Sequence, residues 1–431
     1  MKFNKWTLGL AALGAVSMAS AVHADEATMS SVQTALSNTT ISGYVSSSAN
    51  WQWSPSQNAV SDSPAGNIPF QSNKANGFNL DVVKLSISKP QDESEWASGY
   101  QVDLLFGPDA VGYNVASNEG SGQFGTEPGE SEYGSFSIQQ AYIALRTPVG
   151  NGIDWKVGVF NTIVGYESFD PGSNPNYTRS WGYAVEPTEH TGVLASYMIN
   201  DMFSVSAGVA NTLNAGINTR NTYTTGGNVN NDVWHKTVLG SATFTAPSDW
   251  GWAAGSAFYA GFVWGFANSN GNDPTPGSAS QAGNQANYYV GATLNSPWKD
   301  VTFGAAFDYV QNLGGGTGSS GNVHNNVNVW GLYNTIKATD KLSFNSRGEF
   351  WGIDVKGAGG GYDNGISLTE TVQYDLWANV ISRLEFRYDH VLRSIDGDYV
   401  LPNGATTGYF GESFYPDRTS YGLYANLIYK F

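Results

Sequence analysis

From residue 40 to the last residue, apolar and polar side chains alternate one for one, segment after segment. Ile41, Gly43, Val45, Ala49, Trp51 and Trp53 alternate with Ser42, Tyr44, Ser46, Ser48 and Asn50. Val301, Phe303, Ala305, Phe307 and Tyr309 alternate with Thr302, Gly304 and Asp308, and Val380, Leu384, Phe386 and Tyr388 with Arg383, Glu385, Arg387 and Asp389. A strand points successive side chains to opposite faces, so each segment has one apolar and one polar face.

Sixteen such segments begin near residues 40, 78, 96, 136, 153, 190, 202, 233, 252, 286, 300, 323, 341, 365, 380 and 419. Most run about 10 to 14 residues, the length a tilted strand needs to cross the hydrocarbon of a bilayer. Short connections cover 90–95, 148–152, Asn200-Asp201, 247–251, 297–299, Thr339-Asp340 and 376–379. Long ones cover 54–77, 108–135, 162–189, 212–232, 266–285, 314–322, 354–364 and 393–418, in strict alternation with the short ones. A soluble β-sandwich has no reason to sort its loops by side, whereas an outer-membrane barrel has tight periplasmic turns and long external loops. The expected fold class is all-β: a closed antiparallel transmembrane β-barrel of about 16 strands, with 14 or 18 as alternatives.

The last segment carries the most specific local signal. Tyr421, Leu423, Ala425, Leu427, Tyr429 and Phe431 alternate, and Phe431 is the last residue. This strand must pair with the first, because an open edge in lipid leaves amides unsatisfied at several kcal/mol each. A closing strand that ends in an aromatic resembles the signal read by the bacterial barrel-assembly machinery, an expected partner, so Tyr429 and Phe431 are assigned to closure. Trp96, Trp155, Phe203, Trp250, Trp252, Trp298, Trp377, Tyr429 and Phe431 fall near short turns. Trp51, Trp53, Phe106, Phe160, Trp264, Tyr309, Phe350 and Trp351 fall toward long loops. Two aromatic girdles at headgroup level are expected from this sorting.

Composition agrees. Charged residues are 13% and aromatics 14%, yet mean hydropathy is only −0.28 and no later stretch could form a membrane helix. In a barrel only every second strand residue meets lipid, which keeps the mean low. There are no cysteines, so disulfides do not hold the fold. Lys2 and Lys5 precede an uncharged apolar run from Trp6 to Ala21, and Val22-His23-Ala24 fits a small-x-small cleavage site. The expected organisation is a signal peptide over 1–24, a short periplasmic lead-in over 25–38 and the barrel over 39–431. Without Lys2 and Lys5, 18 basic and 36 acidic residues remain, a net charge of −18. A nucleic-acid binder would be basic, so that partner class is excluded.

Charges within the strands fall mostly on the polar face: Lys84, Asp103, Arg146, Lys156, Asp308, Arg347, Glu349, Arg383, Glu385, Arg387 and Asp389. An Arg or Lys facing lipid at mid-membrane costs about 2–4 kcal/mol, so these are expected to point inward, into a hydrated lumen. Two roles are open: ladders that brace the wall, or a transverse field at a constriction. Glu370 breaks the pattern by sharing parity with Ile366, Leu368 and Val372, which predicts a bulge or a different segment boundary there. His190, His235, His324 and His390 are scattered, and no phosphate-cradling glycine motif or nucleophile elbow is present. No catalytic, cofactor or metal site is expected, and the acidic loop 119–132 reads as solvated.

The stretches GFNLDVVKLSISKP (77–90), GYQVDLLFGPDA (99–110), QAYIALRTPVGNGIDWKVGVFNTIVGYE (140–167) and NPNYTRSWGYAVEPTEHTGVLASY (174–197) resemble the OmpL-like beta-barrel porin-2 family. The resemblance covers most of residues 40–431 and implies an outer-membrane barrel with diffusion activity; it carries no residue roles. Loop 162–189 is similar in order and size to the third external loop of general porins, which folds into the barrel. Its Ile163, Val164, Tyr166, Phe169, Tyr177, Trp181 and Tyr183 are too many large apolar groups for a freely solvated loop. It is expected to pack inside, with Glu167, Asp170 and other acidic groups facing wall residues such as Arg347, Arg383 and Arg387, and with its own Arg179 at the constriction; an external lid or a trimer contact is the alternative. The expected function is an outer-membrane porin, a passive diffusion channel for small hydrophilic solutes. The alternatives are a channel selective for a sugar, peptide or anion, with Trp351 and Tyr177 along the path, and a plugged structural or adhesive barrel. Outer-membrane lipid and lipopolysaccharide are the expected surroundings, and analogy points to a homotrimer. Net acidity leans toward cations, and the basic lumen residues lean the other way.

Overall fold

The computed structural model describes residues 32–33, 39–53, 74, 76–92, 94–112, 116–117, 136–213, 216–217, 221–225, 228–232, 236–267, 283–312, 324–356, 361–393 and 419–431. The expected signal peptide, most of the lead-in, the acidic loop 119–132 and His235 lie outside them. Among the described residues no helix is long and apolar enough to cross a membrane.

Sixteen long strands follow one another: β1 (Thr40–Trp53), β2 (Gly77–Lys89), β3 (Ser98–Phe106), β4 (Phe136–Thr147), β5 (Ile153–Asn161), β6 (Glu189–Met198), β7 (Phe203–Ala210) and β8 (Thr237–Thr245) form the first half. The second half is β9 (Ala257–Ala267), β10 (Gly283–Asn295), β11 (Val301–Gln311), β12 (His324–Lys337), β13 (Leu342–Lys356), β14 (Gly361–Trp377), β15 (Val380–Arg393) and β16 (Thr419–Lys430). Each pairs antiparallel with its chain neighbour, and β16 returns to β1 with register Tyr44↔Lys430 to Trp53↔Tyr421. Gly43 and Phe431 exchange two further backbone hydrogen bonds of 2.9 Å, so the last residue completes the seam. The sheet therefore has no open edge, which is the condition for a β-structure to sit in hydrocarbon. A two-residue strand, Val32–Gln33, lies antiparallel to the start of β1.

The two faces sort as the alternation requires. On β15, Leu384, Phe386 and Leu392 are exposed while Arg383, Glu385, Arg387 and Asp389 are buried. On β1, Trp51 and Trp53 are exposed and Ser46, Ser48, Asn50 and Gln52 are buried. Trp96, Phe203, Trp250, Trp252, Trp298, Trp377 and Tyr429 project outward near the short turns. Two of the expected upper-girdle residues do not: Phe160 is 0% and Trp351 1% exposed, because each has inward parity and packs within the barrel.

Several boundaries move. β9 begins at Ala257 rather than near 252, because Gly251–Ala253 forms a 3₁₀ turn with Gly251 at φ 60°. β8 begins at Thr237 rather than near 233. The connection expected over 354–364 shrinks to the four residues between Lys356 and Gly361, since β13 and β14 run on in register through Asp354↔Tyr362. At the other end of β14 a two-residue turn, Ala378-Asn379, carries Asn379 at φ 65°.

No bulge lies at Glu370. It pairs in register with Ser346 and Phe386, and its side chain is exposed on the outer face, where the Ser346 hydroxyl donates to Oε2 at 2.7 Å. The register shifts of β14 lie at Asn364/Gly365 and Asp375/Trp377 instead. A bulge that the sequence reading missed sits in β2, where Ser46 pairs Val82 and Ser47 pairs Leu80. The extra residue, Asp81, is left facing inward together with Val82.

Candidate functional site

The chain leaves β5 at Asn161, returns at Glu189 and in between folds across the inside of the barrel. Its stem is closed by Thr162 N–H donating to the Thr188 carbonyl at 2.9 Å. Asn174 pins a tight sub-loop, accepting from Ser168 N–H at 2.9 Å and donating to the Ser168 carbonyl at 2.7 Å. The Ser180 hydroxyl caps a one-turn helix, Trp181–Val185, by accepting from Tyr183 N–H at 3.0 Å.

Three apolar anchors seat this loop. Val164 and Tyr166 pack with Leu239, Val263, Tyr289 and Tyr333, the rings of Tyr166 and Tyr333 stacking at 4.1 Å. Phe169 packs with Tyr44, Val82, Leu105 and Ile428. Trp181 and Val185 pack with Val329, Trp351, Ile353 and Val391. The large apolar groups that looked out of place in a solvated loop are thus its contacts with the wall.

A loop inside a barrel must still satisfy its amides. Wall carboxylates do much of this. Glu385 accepts from Tyr177 N–H at 2.5 Å and Thr178 N–H at 2.9 Å, and Glu349 from Trp181 N–H at 2.6 Å. Asp389 accepts from the Trp181 indole at 3.0 Å. Wall arginines take the carbonyls: Arg383 donates to Pro171 O and Asn174 O, each at 2.7 Å, and Arg387 to Arg179 O at 2.6 Å. Arg347 lies between Glu167 (2.8 Å) and Glu349 (2.9 Å) and also donates to Thr178 O.

The expected pairing of loop acids with wall bases therefore holds for Arg347 with Glu167. Arg383 and Arg387 meet backbone carbonyls instead, and Arg387 pairs with Asp389 on its own strand at 2.7 Å. On β2, Lys84 bridges Asp103 (3.2 Å) and Asp170 (2.9 Å), and Tyr44 OH of β1 donates to Asp170 at 2.9 Å. Arg179, in the loop, donates to the Tyr177 and Phe169 carbonyls. Arg146 pairs with Asp154 at 3.0 Å, beside the turn 148–152, away from the loop. Lys156 is also away from it, with its ammonium 4.9 Å from the centre of the Tyr142 ring. Tyr177 and Trp351 are buried against Tyr424 and Trp181, so neither lines an open path.

Two features escaped the sequence reading. Asp81 gathers Ser46 and Ser48 hydroxyls (2.8 and 2.7 Å), Tyr177 OH (3.0 Å) and Lys74 (3.3 Å). Its signal was present: outward parity is even at Phe78 and Leu80 and odd at Val83 and Leu85, a flip that a bulge must absorb. Glu186 meets Asp308 of β11, and burial first, then that neighbouring carboxylate, pushes its carboxyl well above the ordinary range. Gly182 makes the approach possible, since a Cβ there would lie 2.6 Å from Asp308 Oδ2. Among the described residues no group of three or more His, Cys, Asp or Glu is placed to hold a metal ion.

Solved outer-membrane channels share this architecture. The channel DcaP of Acinetobacter baumannii matches with a TM-score of 0.54 at 11% identity, covering 94% of this chain and 100% of that one. An anion-selective porin from Comamonas acidovorans matches with 0.52 at 9% identity, covering 91% and 99%. OmpT of Vibrio cholerae, solved in a trimer form, matches with 0.50 at 10% identity, covering 91% and 99%. At these identities the likeness is one of fold. No curated protein matches the chain. The family model for OmpL-like beta-barrel porin-2 matches residues 38–431, nearly the whole chain and all sixteen strands: the protein belongs to that family and is a porin channel of the bacterial outer membrane.

Proposed function

We propose that this porin is a passive diffusion channel for small hydrophilic solutes, narrowed from within by the loop 162–188. The observation that carries the reading is the seating of that loop: three apolar anchors and a set of buried charge-assisted bonds hold it across a barrel wide enough to leave an aqueous channel. In this reading Arg179, Arg347, Glu349, Arg383, Glu385 and Arg387, with Glu167, brace the constriction instead of setting a field in water, because they are already engaged under the loop by ion pairs or by hydrogen bonds to its backbone. Lys84, Asp103 and Asp170 anchor its other end, and Arg146 and Lys156 line the open part.

No chemical step, cofactor or energy source is assigned to it. Export by a signal peptide over 1–24, assembly guided by Tyr429 and Phe431, a setting of lipid and lipopolysaccharide, and a homotrimer such as that solved for OmpT complete the proposal. Purified protein in a planar bilayer is expected to give uniform ohmic steps, and removal of residues 165–185 to give larger ones. Absence of steps favours the plugged barrel, and steps unchanged by the deletion remove the constriction.

A further inference from the structure

The loop does not cover the wall evenly. Its polar contacts fall on β1, β2, β10–β16 and, at its stem, His190 of β6, and its apolar ones add Leu239 of β8 and Val263 of β9 and touch β3 and β7 at their far ends. Toward the 148–152 turn, the inward residues of β3–β5 stay partly exposed: Gln101, Tyr142, Ala144 and Lys156. This leaves an eccentric lane along that side of the barrel.

Charge in the lane is not balanced. Lys84 is neutralised by Asp103 and Asp170, and Arg146 by Asp154. Arg383 and Lys430 hold loop carbonyls. Among the described inward cations away from the strand ends, Lys156 alone has neither a carboxylate nor a carbonyl partner, only the face of Tyr142. Its position on β5 is set by the same parity that sends Trp155 and Val157 outward.

We infer that Lys156 is the selectivity-determining residue of the permeation lane, giving the porin a preference for small anions. The inference rests on the diffusion-channel reading above. It runs against the protein's net charge of −16, and distance decides between the two. In about 0.1 M salt the Debye length is roughly 10 Å, so acids on the external loops are screened from an ion in the lane. A unit charge about 6 Å from a permeating ion, even at the dielectric constant of water, shifts its local concentration roughly threefold. It acts in opposite senses on the two ion signs, so the permeability ratio changes by up to about tenfold.

The test is the reversal potential of the full-length protein in planar bilayers under a potassium chloride gradient near 0.1 M. The unaltered protein is expected to favour chloride. Lys156→Gln is expected to lower the anion-to-cation ratio about three- to tenfold, Lys156→Glu to invert it, and Lys156→Arg to keep it. Lys341→Gln, at an exposed turn on the same end of the barrel, is expected to change nothing. Heat-modifiable gel mobility and retained unitary steps show that each variant has folded. A ratio that is the same in the Lys156 variants, or a cation-preferring unaltered protein, overturns the inference while leaving the channel reading intact. Lack of steps in the unaltered protein overturns the channel reading itself and the inference with it.

Discussion

Replacing Arg347 with Met tests how the loop is held. The side chain keeps its approximate length and loses its charge. Two carboxylates that are 0% and 1% exposed, Glu167 and Glu349, then lose their shared cation, and the Thr178 carbonyl loses a donor at 2.7 Å. Removing one partner of a buried ion pair costs about 3–5 kcal/mol, most of it the burden of the uncompensated charge left behind. The three apolar anchors are untouched, so the cost falls on seating of the loop and not on closure of the barrel. At about 1.4 kcal/mol per decade, the ratio of unseated to seated loop rises roughly 10²- to 10³-fold or more. Hydrogen exchange reads this directly: the amides of Tyr177, Thr178 and Trp181, which donate to Glu385 and Glu349, are expected to exchange faster by that factor. Those of β5, outside the loop, are expected to keep their rates, and bilayer recordings of the variant are expected to show larger and noisier steps. Loop exchange within about threefold of the parent, in a variant that still opens channels, would refute the reasoning.

Glu186 gives the loop a pH response. A carboxyl raised by burial and by Asp308 contributes stability that is complete below its unfolded pKa and is lost as pH rises through the raised one. Open-channel noise is therefore expected to grow from acid toward alkaline pH and to lose that dependence in Glu186→Gln; an identical pH profile in the variant would contradict this. Glu370 projects from the outer face among Leu368, Val372 and Leu384, so Glu370→Leu is expected to stabilise the protein in lipid vesicles by about 1–2 kcal/mol in urea unfolding, with conductance unchanged. A loss of stability there would count against the outward placement.

Strand number, closure and facing were legible because each rests on a local period that hydrocarbon enforces. The burial of 162–188 was legible from its misplaced aromatics. What was not legible depends on partners distant in sequence. Arg383 and Arg387 look like lumen charges until the carbonyls of Pro171, Asn174 and Arg179 arrive some two hundred residues away. Trp351 reads as a girdle residue near a strand end, yet its odd position on β13 turns it inward onto Trp181. Glu370 is a local misfit that strand pairing on both sides overrides, so the regular register keeps it outside.

The chain has no cysteine, which makes single-cysteine scanning the cleanest trial of the arrangement itself. Positions 142, 144 and 156 face the lane and 143, 145 and 157 face outward. With single cysteines reconstituted in bilayers, a charged, membrane-impermeant thiol reagent is expected to label 142, 144 and 156 and to cut conductance at each, and to leave 143, 145 and 157 unlabelled. Labelling without alternation, or labelling of the odd residues of β4 in place of the even ones, would contradict a cylinder that is wet inside and apolar outside.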